Sequence, residues 1–368
     1  MRIAVLKESA ARERRVALIP STVDRLVKQK HQVVIEQGAG VTAFFADQLY
    51  LNAGATLAPT ARAAAAGSDI VVKVQPPTLE EAKVLAAGQV LISLMTPSAS
   101  QVLLGVLASA GVVALALELV PRTTKAQTMD ILSSQATIAG YQAVLLGASR
   151  MARLLPMLTT AAGTIMPGKV FVLGAGVAGL QALATARRLG AVVSAFDVRA
   201  AVKEQVQSLG ATFVEIEAQA EGAGGYAKEL SADQQERVLG AIAKHIKDID
   251  LVISTAAIPG KPAPRLITRA MVESMRPGSV IVDLAAETGG NCELTKLGED
   301  VDCAGVTVLG PANLASSLPY HASFMFSRNV QSLFDHGVKE GVFAVSLEDP
   351  ILGPMCVTHG GAVRLGLG

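Results

Sequence analysis

Residues 169–197 read K-V-F-V-L-G-A-G-V-A-G-L-Q-A-L-A-T-A-R-R-L-G-A-V-V-S-A-F-D, and the reading of this stretch decides the fold. The apolar run 170–173 has the character of a buried parallel strand. Gly174, Gly176 and Gly179 follow in G-x-G-x-x-G spacing, with Val177 and Ala178 between the last two. Helical periodicity runs over 180–189 until Gly190 stops it, and a second apolar run, 191–196, ends on Asp197. Strand, glycines, helix, strand and acid in this order predict a doubly wound α/β domain.

Each part has a physical task in a dinucleotide site. Gly174 allows the tight turn out of the strand, Gly176 lets backbone approach a pyrophosphate, and Gly179 lets the helix pack close to the sheet. The helix N-terminus offers free N–H groups and partial positive charge to phosphates. Asp197, 18 residues beyond Gly179, is spaced to accept hydrogen bonds from both hydroxyls of an adenosine ribose and to repel a 2′-phosphate. The expected cofactor is therefore NAD(H) rather than NADP(H). Val198 and Arg199 continue the segment, and Arg199 lies close to the same 2′ position. The bland alternative is a glycine-rich turn that binds nothing. A bare G-x-G-x-x-G would not decide between them, but the ordered succession of all five parts favours a nucleotide.

With 368 residues the chain is long enough for two domains and a large core. A net charge of +1 leaves no electrostatic footprint for nucleic acid. Cys292, Cys303 and Cys356 form no C-x-x-C and no regular framework, so they read as reduced thiols of a cytosolic protein. The histidines at 31, 245, 321, 336 and 359 are scattered, and no metal site is expected. The apolar run after Arg2 ends at Lys7, too soon for a signal peptide. Residues 84–117 carry no charge, but Thr96, Pro97, Ser98, Ser100, Gln101, Gly105, Ser109 and Gly111 interrupt them. They read as strand (90–95), helix (101–110) and strand (112–117) rather than as a membrane span.

Further strands are expected at 2–6, 33–35 and 69–74, with a helix from a Ser21 cap to about residue 30. G-A-G-V-T-A at 38–43 echoes the later motif, but no strand ending in an acid follows at the needed distance. P-R-T-T-K-A-Q-T-M-D-I-L-S-S (121–134) begins as a polar loop. A long helix then starts at Thr128 or Asp130 and runs to about residue 155, with Ile131, Ile138, Val144 and Leu145 at helical spacing. After Asp197 a helix is expected at 203–209 and strands at 212–215, 251–255, 279–284 and 306–309. The loop E-G-A-G-G-Y-A-K-E (221–229) reads either as plain surface or as a lid with Tyr226 at its tip. A second long helix over 320–333 and short strands over 342–364 close the chain. The fold class is α/β: two Rossmann-like domains with parallel sheets, linked by long helices, with a cleft between them. The expected boundaries are 1–133 plus 320–368, flavodoxin-like or Rossmann-like, and 134–319, the NAD(H)-binding Rossmann domain.

Several stretches resemble one family. K-E-S-A-A-R-E-R-R-V-A-L-I-P (7–20) is similar to the opening shared by alanine dehydrogenases and the NAD(H)-binding component of proton-translocating transhydrogenase. Residues 121–141, 197–210, 224–229 and 258–268 resemble the latter more closely, and the resemblance covers nearly the whole chain. It implies a two-domain NAD(H)-binding subunit, a homodimer, that passes hydride from NADH to NADP+ on a separate NADP(H)-binding component. That component belongs to a membrane assembly, so the resemblance also implies a cytoplasmic protein held peripherally at the inner (plasma) membrane through partner subunits. It makes Arg122, Gln127 and Asp130 the loop that meets the nicotinamide, Ser133 and Tyr141 further contacts at that end, and Tyr226 the mobile-loop tyrosine.

The chemistry agrees with that implication. Hydride transfer between two nicotinamides moves no proton at the reacting carbons; it needs two rings held at near-attack distance and water kept out. Guanidinium, amide and carboxylate can hold a carboxamide by complementary hydrogen bonds. The plainer reading makes Arg122 and Asp130 a surface ion pair beside a helix cap. Two other readings compete. Arg15 and Lys73 match the carboxylate-binding positions of alanine dehydrogenases, but Ser93 stands where those carry a histidine and Glu287 where they carry an aspartate. A non-catalytic NAD-binding module is the third.

Overall fold

The computed structural model describes residues 1–215, 231–258 and 261–364. They divide into two compact units, one made of residues 1–135 with those from 315 onward, the other of residues 136–314. Tyr226 and the expected lid lie outside the described residues.

In the first unit β1 (Arg2–Val5), β2 (Gln32–Glu36), β3 (Thr56–Ala58), β4 (Ile70–Val72), β5 (Val90–Ser93) and β6 (Val113–Ala116) form a parallel sheet in the order β6-β5-β4-β1-β2-β3. Strand Cys356–His359 extends it antiparallel beyond β6, and Ala362–Val363 pairs with that strand. β4 and β5 are buried at every position, as strands covered on both faces must be. Alternate residues feed two apolar layers. Ile3, Val5, Ile35, Val72 and Ile92 face Val23 and Leu26 of helix Pro20–Lys28 and Phe326 and Val330 of helix Pro319–Gly337. Ala4, Val34, Val71 and Leu91 face Leu103, Leu104 and Leu107 of helix Gln101–Ser109. The uncharged segment 84–117 thus becomes a buried strand–helix–strand. Among the described residues no helix is long and apolar enough to cross a membrane.

The second unit contains an exposed hairpin, β7 (Leu158–Thr160) and β8 (Gly163–Ile165), and a larger sheet. That sheet comprises β9 (Lys169–Leu173), β10 (Val192–Phe196), β11 (Thr212–Phe213), β12 (Leu251–Ser254), β13 (Val280–Asp283), β14 (Asp300–Cys303) and β15 (Val306–Leu309), in the order β11-β10-β9-β12-β13-β15-β14. Only β14 runs antiparallel. Among the parallel strands of each sheet the winding direction reverses once, between β1 and β4 in the first unit and between β9 and β12 in the second. Ligands bind outside the carboxyl ends of strands at such reversals.

Three local expectations are corrected. Ser21 does not cap the first helix: Pro20 opens it after Ile19, and Ile19 makes no side-chain cap. Proline at the first helical position needs no cap partner for its own nitrogen. The long helix spans Ile131–Arg150 and ends before residue 155, because Pro156 disfavours helical backbone at Leu155. Helix Ala232–Ile246 is not among the expected elements, although Ser231 and Gln234 form a capping box ahead of buried Val238, Ile242 and Ile246.

Candidate functional site

The turn after β9 is built by its three glycines, each for a different reason. Gly174 has φ +93, a left-handed conformation that glycine adopts without strain. At Gly179 a Cβ would stand 1.9 Å from the Gly174 carbonyl oxygen, so only glycine lets the helix close on the turn. At Gly176 a Cβ would meet nothing within 4 Å. Packing does not demand a glycine there; what the missing Cβ leaves is open room beside the N-terminus of helix Val177–Arg188, where Gly176 is the N-cap. That free space above free N–H groups fits a pyrophosphate. The echo at 38–43 lacks it, because a Cβ on Gly40 would lie 2.6 Å from both the Phe45 carbonyl and the Tyr50 hydroxyl.

The crevice at the reversal is braced from its far side. Thr255, just after β12, donates its hydroxyl to the Gly174 carbonyl at 2.8 Å. Buried Asn291 accepts from Ser254 Oγ and the Ala256 amide, and donates to the carbonyls of Ala256 and Pro264. Gly140 of the long helix matters as well: a Cβ there would lie 2.1 Å from the Ala178 carbonyl. Two helices therefore meet at backbone distance beside the turn. A lone glycine in an apolar helix gives no sign of this, since the neighbour is 38 residues away.

Asp197 directly follows β10, with its side chain 5 % exposed. Its carboxylate is fully engaged by the protein. Oδ1 accepts from the Arg199 amide at 2.9 Å and from Arg199 Nε at 2.8 Å. Oδ2 accepts from the Ala175 amide at 2.7 Å and from Arg199 Nη2 at 2.6 Å. Spacing alone does not reveal this fork, which ties the acid to the glycine turn and to the cation two residues on. Val198 between them is half-buried.

In the first unit, Arg122, Gln127 and Asp130 come together. With Pro121, Thr123 and Thr124 they line a hollow of about 270 Å³, below the roughly 300–1,000 Å³ of pockets that enclose a whole ligand. It has room for one ring and its amide. The hollow is rigidly backed. Ala126 and Met129 of the 3₁₀ turn Thr124–Met129 are buried pegs, while Gln127 between them faces out. Asn329 Nδ2 donates to the Thr128 carbonyl at 2.8 Å. Asp130 precedes the long helix and accepts from the Ser133 amide and hydroxyl. Tyr141, 41 % exposed, lies eight residues further along that helix.

The first unit's own reversal point is filled by charge. Arg15 Nη2 and Nε donate to Glu13 at 2.6 and 2.8 Å, and Nη1 donates to Gln135 Oε1. Lys73, 1 % exposed, lies 3.2 Å from Glu81 and 3.8 Å from Glu8. Burial pushes the Glu8 carboxyl up to about 7, against the opposing pull of Lys73 and the Val74 and Gln75 amides. Ser93, also fully buried, donates to Met95 Sδ. Glu287 is exposed and accepts from the Asn313 amide.

A doubly wound sheet whose first turn leaves open room at a helix N-terminus has the form of a dinucleotide-binding α/β protein of the dehydrogenase class. Comparison with known proteins narrows the class. The profiles "Alanine dehydrogenase/PNT, N-terminal domain" and "Alanine dehydrogenase/PNT, C-terminal domain" match residues 4–139 and 143–365, and the chain belongs to this alanine dehydrogenase/PNT family. It is 45 % identical to the first part of NAD(P) transhydrogenase subunit alpha of Rhodospirillum rubrum, over 99 % of this chain and 97 % of that one. Its structure is similar to that of the transhydrogenase from Sinorhizobium meliloti, with TM-score 0.90, 44 % identity, and 99 % and 100 % of the two chains covered. It is also similar to an L-alanine dehydrogenase, with TM-score 0.81, 29 % identity and coverage of 99 % and 96 %.

Proposed function

We propose that this chain is the NAD(H)-binding component of a proton-translocating transhydrogenase, passing hydride directly from NADH to NADP+ on a separate NADP(H)-binding component. One observation carries the reading: Arg122, Gln127 and Asp130 line one small hollow, a guanidinium, an amide and a carboxylate together. When bound, NADH supplies the hydride. The residues orient it. Arg122 donates to the carboxamide oxygen, and Asp130 accepts from the carboxamide N–H while keeping Ser133, since each carboxylate oxygen has a second acceptor position. Gln127 does either. In the second unit Gly174, Gly176, Val177, Ala178 and Gly179 receive the pyrophosphate, and Asp197 the adenosine ribose. Ser133, Tyr141, Val198 and Tyr226 complete the proposed contacts, and Arg199 borders the ribose end on Asp197.

No proton has to move at the reacting carbons, and the side chains agree with this. Where alanine dehydrogenases carry a histidine, buried Ser93 is spent on a sulfur. Arg15 and Lys73, at the positions of that family's carboxylate binders, are answered by Glu13 and Glu81 of the same chain. The name of the Rhodospirillum relative, part of one subunit of an NAD(P) transhydrogenase, supports the existence of partner subunits; in this reading one of them carries the NADP(H) site and another spans the membrane. Such partners would hold the protein peripherally on the cytoplasmic side of the membrane. The hairpin β7–β8 supports a homodimer, because Met157, Leu158, Ile165 and Met166 expose 59, 41, 45 and 72 % of their surface, apolar area suited to burial against a second copy.

The test is stopped-flow transfer between NADH and an NADP+ analogue, with and without an NADP(H)-binding component. Transfer only in the presence of the component is the expected result. NADH oxidation driven by pyruvate and ammonia in the isolated chain would hand the case to alanine dehydrogenase. NADH binding with no transfer to a competent partner would leave a non-catalytic module.

A further inference from the structure

We propose that Arg199 is a specificity-determining residue of the nucleotide site: an internal competitor that holds the Asp197 carboxylate until ribose hydroxyls displace it. The proposal rests on the dinucleotide reading of the second unit and goes one step further, to what sets the affinity and the choice of nucleotide.

A carboxylate offers about four acceptor positions, and the protein's own donors take all four on Asp197. They are of two kinds. The amides of Ala175 and Arg199 are backbone, fixed by the turn after β9 and by the chain leaving β10. The Nε and Nη2 donors belong to one guanidinium in a two-point fork. Only this second pair can leave without unmaking the turn. A ribose brings two hydroxyl donors, so the exchange is two for two, and the backbone donors stay throughout.

The consequence is energetic. A carboxylate with 5 % of its side chain exposed is costly to leave unpaired. With Arg199 beside it, Asp197 keeps partners whether or not a ribose is there, and the glycine turn keeps its tether through Ala175. The ribose, however, must replace an ion pair, charged on both sides, with hydroxyl donors that carry no charge, so the Coulomb attraction of the guanidinium is lost in the exchange. Arg199 therefore weakens NADH binding and favours release of the nucleotide. Its side chain is 19 % exposed, which gives it a way out toward solvent. Once displaced, the guanidinium lies beside the 2′ position and attracts a 2′-phosphate, blunting the repulsion that Asp197 alone would exert. The Asp197–Arg199 pair, rather than the acid alone, thus sets the ratio of NADH to NADPH affinity.

The experiment measures dissociation constants of the full chain for NADH and NADPH by equilibrium dialysis, for the unaltered protein, Arg199→Ala and Arg199→Lys. Loss of one charge-assisted competitor predicts that Arg199→Ala binds NADH about tenfold tighter and NADPH no tighter, so the ratio widens. Arg199→Lys, which keeps a cation but not the fork, falls between; it also serves if the alanine variant fails a circular-dichroism check of folding. An NADH analogue lacking the 2′-hydroxyl gains less from Arg199→Ala than NADH does. If Arg199→Ala weakens NADH, or shifts both nucleotides by one factor, Arg199 is an ordinary ligand or a structural residue and the proposal fails. Absence of NADH binding by the unaltered chain would overturn the dinucleotide reading itself, a result distinct from the others.

Discussion

Asp130 caps the long helix through Ser133: its Oδ1 accepts the Ser133 amide at 2.9 Å and its Oδ2 the Ser133 hydroxyl at 2.6 Å. The same carboxylate lines the hollow with Arg122 and Gln127, so one side chain ends a loop, starts a helix and faces a site. Two substitutions separate these duties. Asp130→Ala removes the cap and should lower stability by about 1 kcal/mol. Asp130→Asn keeps an oxygen for the Ser133 amide, so its urea midpoint should stay near that of the unaltered chain. It loses the acceptor charge, and hydride transfer to the partner should still fall by roughly tenfold or more, the scale of one charged hydrogen bond. Full transfer activity in Asp130→Asn would reduce Asp130 to a helix cap.

Gln127 faces outward from a turn whose neighbours Ala126 and Met129 are buried. Shortening it by one methylene in Gln127→Asn leaves those pegs in place, so the thermal midpoint should not move. The amide would sit more than 1 Å from its working position, and misplacement on that scale costs up to about 100-fold in rate. Transfer should therefore slow far more than NADH affinity drops. Equal loss in both would argue against a positioning role.

What was legible beforehand follows from which forces act locally. Parallel strands buried on both faces must be apolar throughout, so β4, β5, β9, β12 and β13 stand out as short unbroken runs between glycines and polar loops. The turn after β9 is local too, as is the start of the helix at Asp130. The hairpin β7–β8 has no such signal: L-T-T and G-T-I are exposed on every residue and bury no face. Gly140 is decided by the Ala178 carbonyl, and the fork of Arg199 on Asp197 by a rotamer, neither of which periodicity encodes. The pairing of Arg15 with Glu13 spans only two residues, yet it is set by burial at the β1–β4 reversal rather than by spacing.

The two glycines of the helix start give opposite outcomes for the same substitution. Gly179→Ala forces a methyl to 1.9 Å from the Gly174 carbonyl, and backbone cannot yield as a flexible side chain can. A loss of about 1–3 kcal/mol is expected, the usual range for overpacking, with weaker NADH binding as a by-product. Gly176→Ala meets no atom and has the extended backbone that alanine accepts, so stability should change by less than about 1 kcal/mol. NADH affinity should nonetheless drop at least about tenfold, because the methyl occupies the approach of the pyrophosphate. Normal binding by Gly176→Ala would mean that no phosphate lies over this turn.

Glu8 makes an unusual contribution to pH dependence. Its side chain is buried beside Lys73, with Glu13 and Glu81 close by, and it accepts the Val74 and Gln75 amides. Burial raises its carboxyl from 4.5 to about 7, Lys73 at 3.8 Å offsetting only part of the effect. The folded chain therefore holds a proton that the unfolded chain has lost between those two values. Stability contributed by this group is complete below pH 4.5 and declines as pH rises toward 7, by at most about 1.4 kcal/mol per pH unit. That is the reverse of an ordinary ion-paired acid, which loses stability on acidification. Glu8→Gln removes the titration but places an amide donor against one of the two backbone N–H groups, so its urea midpoint should lie lower at pH 5. Between pH 5 and 7 the gap to the unaltered chain should narrow, because only the unaltered chain is losing stability through this position. Parallel curves for the two proteins would show instead that Lys73 keeps Glu8 ionised across the range.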